Sequence, residues 1–469
     1  MARQNSGEQD SRQSGGLYHF VWRWHFYAGL FTAPFLIVLA VTGALYLFNH
    51  EIERWWYRGL MEVPPFSRVA AASAQEAAVL HAFPGAQVSR YTYPLDNHEA
   101  AEWTIKTTEG RALTVFVDPG STAIKGTVAP GQRLMQIVRD MHASLLLAKP
   151  GQYVMELAAC WGFILLVTGI FMWWPRRARM RGVLVPRLRA GSRTFWKDIH
   201  SVPSMWNAAL VVFLILTGLP WSIFWGQQFA KLGTLSSITA PSPNFIRQPK
   251  LVSFTGAPAE PGSDDHVPHS GLPDLPWSVR NAPQPQAYNA TRRIGIDAIM
   301  REAERRHIAA PGLRVIYPAV PFDTFVLSFV PKTAQGQHTV NIDPGTGALL
   351  RDVSWKNYSP VGKAVEFGVM THMGEEFGLA NQLVMLASCL LLILTISFGV
   401  VMWWRRRPVG RLGAPPLPEG FRPSWAIIAT AIVLGIVFPL AGLSIVLVVL
   451  GDALLAVMKK PANEQPVRR

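Results

Sequence analysis

The chain has 469 residues, 49% of them hydrophobic, a mean hydropathy of +0.19 and a formal net charge of +14. This composition excludes an ordinary soluble globule, because the apolar residues gather in runs long enough to span a bilayer. The positive charge does not imply nucleic acid: much of it lies directly beside those runs, as juxtamembrane charge does.

In chain order, residues 1–17 read as a polar, disordered cytoplasmic tail without a secretory cleavage pattern. Residues 18–50 form the first span, with His25 near its start and His50 at its far end; 25 residues of helix cover roughly 37 Å. Residues 51–140 form a small soluble domain: a helix at Ala72–His81, strands at Gln87–Tyr93, Ala101–Thr107 and Ala112–Val117, and a turn at Asp118-Pro119-Gly120. Residues 141–151 are a juxtamembrane helix with His142, broken by Pro150-Gly151 before the second span, 152–174. The loop 175–200 is densely basic and therefore cytoplasmic. The third span is 201–226.

Residues 227–371 form a second soluble domain on the same side as the first. Its Pro-rich insert 234–289 reads as loop, followed by a helix at Ile294–Arg306, three strands and the turn Asp343-Pro344-Gly345. The fourth span region is 372–404 and a second basic cytoplasmic loop is 405–423. Residues 424–457 read as a fifth span, one long helix kinked near Pro439 and Gly442, with 458–469 as a tail. A hairpin there would return Lys459 and Lys460 to the cytoplasm but leave each arm below the usual spanning length.

The chain repeats itself. A shift of 230 positions puts His142 on His372, Gly169 on Gly399 and Trp173-Trp174 on Trp403-Trp404; a shift of 175 puts His25 on His200 and Thr42-Gly43 on Thr217-Gly218. The expected fold is therefore an α-helical integral membrane protein with an internally duplicated four-helix core, a C-terminal span and two small α+β domains. Positive-inside topology puts the N-terminus in the cytoplasm and both soluble domains outside.

Symmetry then pairs His25 with His200 on the inner side and His142 with His372 on the outer side. An imidazole at membrane depth needs a functional reason, and two facing imidazoles suit haem iron. As ordinary residues they would be interfacial or docking histidines. His50 lies at the depth to replace an outer ligand, and Arg23, Arg139 and Lys197 are candidates to pair with haem propionates. Trp24, Phe26 and Tyr27 are candidates to cover an inner haem, and Trp161 or Phe367 an outer one. The two cysteines, Cys160 and Cys389, lie in apolar runs and suggest neither a disulfide nor a thiolate metal centre. No His-Glu-x-x-His or Gly-rich phosphate loop occurs.

Several stretches together resemble the PepSY-associated transmembrane family of bacterial inner-membrane proteins, which includes ferric-siderophore reductases. They are Trp24-His25-Phe26-Tyr27-Ala28-Gly29, Arg139-Asp140-Met141-His142-Ala143-Ser144, Val167-Thr168-Gly169-Ile170, Trp173-Trp174-Pro175-Arg176-Arg177, Asp198-Ile199-His200-Ser201 and Leu216-Thr217-Gly218. The resemblance covers about residues 17–407. It implies an enzyme of the inner membrane carrying two non-covalent b-type haems and paired periplasmic PepSY-like domains. Electrons would cross to a ferric siderophore or other ferric chelate, releasing Fe(II). The family's membrane histidines fall on His25, His142, His200 and His372. The donor would be quinol or a partner reductase. Two other readings compete: a non-redox PepSY-type protein binding peptide or a protease partner, and a transporter. The near absence of ionisable residues mid-span counts against the transporter.

Overall fold

The computed structural model describes residues 2–175, 181–235, 275–280, 285, 287, 293–319, 323–410, 412–413 and 424–458. Most of the Pro-rich insert 234–289, together with Arg176, Arg177 and the tail from 459 onward, lies outside the described residues. In chain order the helices are α1 (Ala2–Tyr46), α2 (Asn49–Trp56), α3 (Arg58–Met61), α4 (Ala72–Ala82), α5 (Leu134–Ser144), α6 (Ala148–Trp173) and α7 (Ser192–Gly218). They continue with α8 (Trp225–Leu235), α9 (Trp277–Arg280), α10 (Ile296–Arg305), α11 (Pro360–His372), α12 (Leu379–Arg406), α13 (Trp425–Val437) and α14 (Pro439–Met458). The strands are β1 (Gln87–Thr92), β2 (Ala101–Lys106), β3 (Ala112–Val117), β4 (Ile124–Val128), β5 (Arg314–Ile316), β6 (Phe325–Phe329), β7 (His338–Ile342) and β8 (Leu349–Ser354).

Two compact units divide these elements. A helical unit holds Met1–Gly43, Met141–Gln227 and Ala387–Arg469; a sheet unit holds Ala44–Asp140 and Gln228–Leu386. Among the described residues four helices are long and apolar enough to cross a membrane: Gly16–Tyr46, Ala148–Trp173, Ser192–Trp221 and Leu379–Arg406. The protein is thus an α-helical, multi-span membrane protein with a separate β-sheet region. The polar stretch expected as a disordered tail continues the backbone of α1, since no proline interrupts the ladder before Pro34.

The C-terminal segment departs from the expected single span. Helices α13 and α14 fold back on each other at Phe438-Pro439, where Phe438 leaves helical geometry. The chain can turn this tightly because Gly435 and Gly442 meet backbone to backbone. A Cβ placed on Gly442 would lie 2.7 Å from the Gly435 Cα. The hairpin packs on α6 through Phe163 against Phe438, and Trp161 Nε1 donates to Ser444 Oγ at 3.0 Å. Trp225 Nε1 donates to the carbonyl of Val437, an acceptor freed at the break, at 3.1 Å.

In the sheet unit the two expected modules are not separate. Their strands form one eight-stranded sheet in the order β4-β3-β2-β1-β5-β6-β7-β8. Antiparallel β1 and β5 join at the centre, with Tyr91 opposite Val315. One face carries Trp103, Ile105, Val115, Leu313, Leu327 and Val340, covered by Val79 of α4 and by Ile299 and Ala303 of α10. The covering helices are tied together by Ser73 and Asp297, with the Ser73 amide 3.0 Å from Asp297 Oδ1. Each half closes with the same side-chain turn: Asp118 Oδ1 accepts from Gly120 N at 2.8 Å, and Asp343 Oδ1 accepts from Gly345 N at 2.9 Å.

Candidate functional site

The helical unit brings His25 of α1 and His200 of α7 close enough to interact electrostatically. Their rings are oriented by the other two long helices. His25 Nδ1 lies 2.9 Å from Thr168 Oγ1 on α6 and also bonds the Leu165 carbonyl. His200 Nδ1 lies 2.9 Å from the Thr395 carbonyl on α12. Leu165 and Thr395 are 230 positions apart, the offset read from the sequence. His142 of α5 repeats the pattern on α1: its Nδ1 lies 2.9 Å from Thr42 Oγ1.

The partners decide the tautomers. Thr168 Oγ1 donates its own proton to the Ile164 carbonyl at 2.8 Å, and Thr42 Oγ1 donates to the Val38 carbonyl at 2.5 Å. Each hydroxyl is therefore left as an acceptor for the imidazole. The Thr395 carbonyl can only accept. In all three histidines the proton consequently belongs on Nδ1, and the lone pair on Nε2. Burial holds the His142 imidazole down to about 4, so the ring is neutral at physiological pH. A neutral imidazole with its Nδ1–H engaged is the form that ligates a metal through Nε2.

Glycines set the depth of the rings. Gly399 passes His200 so closely that a Cβ there would sit 3.1 Å from Cε1; the corresponding distances are 3.4 Å at Gly169 to His25 and 3.6 Å at Gly43 to His142. Trp24 and Trp161, expected to cover different haems, stack on one another with their planes 6° apart. Phe26 faces Trp403 at 6.4 Å. Phe367 belongs to the sheet unit, against Phe377.

The remaining candidates have other surroundings. His372 ends α11 in the sheet unit, whereas His142 lies in the helical unit. His50 sits in α2, half-buried, with its pKa lowered chiefly by burial. Arg23 covers the Tyr27 ring at 5.3 Å. Arg139 donates to the Tyr46 hydroxyl and, at 2.5 Å, to Gln136 Oε1. Lys197 is exposed, one residue before the buried Asp198.

Sequence reading missed the threonines. Thr42 and Thr168 look like ordinary apolar-helix residues, and their signal was that each stands directly before a repeated glycine, Gly43 and Gly169. It also missed Glu156, a buried carboxylate on α6 that accepts from the Phe224 and Trp225 amides at 2.7 and 2.9 Å and so caps the start of α8. Asp198 is a third case. It takes Arg187 Nε at 2.7 Å and Nη2 at 2.9 Å, which pins the basic loop to α7 two residues before His200.

Among the described residues no group of three or more His, Cys, Asp or Glu side chains could hold a metal ion. The imidazoles that come together here are those of His25 and His200.

Several helices long and apolar enough to cross a membrane, beside a separate β-sheet region, define a multi-pass membrane protein. A family model for the PepSY-associated TM region matches residues 22–406, and the chain belongs to that family. Comparison with curated proteins gives no match.

Proposed function

We propose that the two halves of the chain are copies of one unit and that the protein carries two b-type haems across the membrane to serve a ferric chelate. His25 with His200 would hold one haem, and His142 with His372 the other. One observation carries this reading: His25 and His200 come together, and each ring is held through Nδ1 by a neighbouring long helix, His25 by the Thr168 hydroxyl and His200 by the Thr395 carbonyl, leaving Nε2 to ligate. The fit extends to shape, since Gly169 and Gly399 remove side chains where the imidazoles lie. Haem held this way supplies one-electron chemistry.

The protein's own residues orient and neutralise the ligands. Thr42, Thr168 and the Thr395 carbonyl fix the tautomers. Arg139 remains a candidate propionate partner on the outer side and Arg23 and Lys197 on the inner side; His50 is the alternative outer ligand. The substrate is a ferric siderophore or similar chelate outside a bacterial inner membrane, with the N-terminus and basic loops inside. Reduction to Fe(II) weakens its hold on hard oxygen ligands. The reductant is quinol or a partner reductase.

The second reading is a non-redox PepSY-type protein that binds peptide or a protease partner. It is favoured by the family's PepSY association and by the outer strands of the sheet, β4 and β8, where an extended peptide can add. Reduced-minus-oxidised spectra of the purified chain, with haem quantified for wild type, His200→Ala and His372→Ala, separate the two. Two haems in wild type and one in each variant support the redox reading. A folded, colourless wild type overturns it and selects the second.

A further inference from the structure

Among the described residues, the stretches of the helical unit where α7 begins and α12 finishes are strongly basic. Arg189, Arg193, Lys197, Arg405, Arg406 and Arg407 are all exposed. Among the described residues of 181–200 and 403–413 the acid is Asp198, fully buried under Arg187. Arg193 and Arg406 approach closely enough for their like charges to interact. An assembly that crowds cations and withholds counter-charge is complementary to an anionic surface.

This face has a built shape. Arg187 clamps the loop to α7, Trp173 Nε1 donates to the Val183 carbonyl at 3.2 Å, and Trp206 Nε1 donates to the Leu184 carbonyl at 3.1 Å. Arg405 lies over Trp196 at 5.0 Å and Arg407 over Trp404 at 3.4 Å, so both guanidinium groups are held by rings. Loose juxtamembrane charge attracts lipid headgroups without any of this.

Aromatic rings lead inward from the same rim. Trp196 meets Phe398 edge-on at 6.2 Å, and the next residue, Gly399, lies against His200. On the other side Trp403 faces Phe26, the neighbour of His25. A chain of covalent and packed contacts thus leads from the basic rim to the inner histidines.

We infer that this face is the docking surface for an acidic, soluble, one-electron carrier protein. The inference rests on the redox reading above and names its donor side, for which the chain has no nucleotide-binding motif. Each encounter takes one electron from the reduced carrier, which leaves oxidised by one. That electron converts one Fe(III) of the substrate to Fe(II), and no proton or group is transferred.

The test uses the full chain in phosphatidylcholine nanodiscs and a flavodoxin as the acidic probe, with cytochrome c as a basic control. Binding is read by biolayer interferometry with the flavodoxin oxidised, so no turnover is needed, and haem per chain is measured alongside. Flavodoxin should bind saturably, weaken about tenfold between ~50 and ~300 mM NaCl, and leave cytochrome c unbound. Arg189→Glu/Arg193→Glu/Arg405→Glu should weaken binding by at least about tenfold at unchanged haem content, while the three Arg→Lys changes should keep it. No saturable binding, or equal binding by the charge-reversed variant, overturns the inference and leaves quinol as the donor. Complete displacement of flavodoxin by phosphatidylglycerol in the disc also overturns it, assigning the face to lipid. Flavodoxin binding to a haem-free chain would instead sink the redox reading and leave an acidic-protein surface.

Discussion

His200 lies against Gly399 so closely that a Cβ at that position would stand 3.1 Å from Cε1 and 3.2 Å from Nδ1. Real Cβ contacts are rarely that short, and the ring cannot give way without loosening its hydrogen bond to the Thr395 carbonyl. Gly399→Ala should therefore displace the imidazole, at a cost of about 1–3 kcal/mol. Gly169→Ala faces a 3.4 Å contact to His25 and should be milder. On the proposed haem reading, haem content and the g-values of the oxidised protein by electron paramagnetic resonance check this. Equal behaviour of the two alanine variants would show that these glycines do not set the rings.

Thr42 and Thr168 are positioning residues whose hydroxyls accept from His142 and His25. Valine has nearly the same shape but leaves Nδ1–H without that acceptor. Thr42→Val should cost about 1 kcal/mol through the lost hydrogen bond and, on the proposed haem reading, weaken haem affinity roughly 10- to 100-fold, as for outer-shell partners of metal-bound histidine. Thr168→Val should lose a similar amount, because each histidine keeps a second bond to the carbonyl three residues before its threonine, Leu165 for His25 and Leu39 for His142. Haem titration of stripped protein measures both. The reduction potential should move in the Thr42 variant as well, which a merely structural role would not require.

Some of this arrangement was legible in the residues. Two constant offsets marked the four histidines together with Gly43, Gly169 and Gly399, because a recurring spacing stands out along a sequence. The Asp118 and Asp343 turns were legible because an aspartate followed by Pro-Gly makes its own side-chain turn. The joining of β1 to β5 was not, since alternation marks a strand but does not name its neighbour across more than two hundred residues of chain. Thr42 and Thr168 were hidden for a related reason: a threonine that bonds the carbonyl four residues back looks complete within its own helix.

Glu99 links the sheet unit to pH. It is 5% exposed, and burial raises its carboxyl to about 7 from an ordinary 4.5, against the pull of the Leu95 amide. Its folded pKa is raised, so its stabilising contribution is complete below 4.5, where both states are protonated. The contribution is lost as pH rises towards 7, because the unfolded chain ionises first. The full effect is at most ~3 kcal/mol. Hydrogen exchange of β2 and β3 amides, corrected for intrinsic rates, should show less protection at pH 7.5 than at pH 5. Glu99→Gln should flatten that difference; an unchanged slope would assign it to other groups, Glu375 among them, whose carboxyl burial also raises to about 7.

The hairpin of α13 and α14 makes a topological prediction that a single kinked helix does not. Two arms joined at Phe438-Pro439 put Ser424 and Met458 on the same side of the bilayer, whereas one continuous span separates them. The geometry turns on Gly435 and Gly442, whose backbones touch, and on Trp225 and Trp161, which hold the tip and the returning arm. A fluorescent protein fused after Arg469 should report the same compartment as one fused within 405–413, and thiol labelling of Ser424→Cys and Met458→Cys in sealed vesicles should give equal accessibility. Gly442→Val should force the arms apart, since its branched side chain has no room beside Gly435. That variant should lower the melting temperature of the helical unit while leaving exchange protection in the sheet unlike wild type by no more than experimental scatter. Opposite compartments for the two fusions would restore the single span, and the Gly435–Gly442 contact would then have to be broken in the membrane.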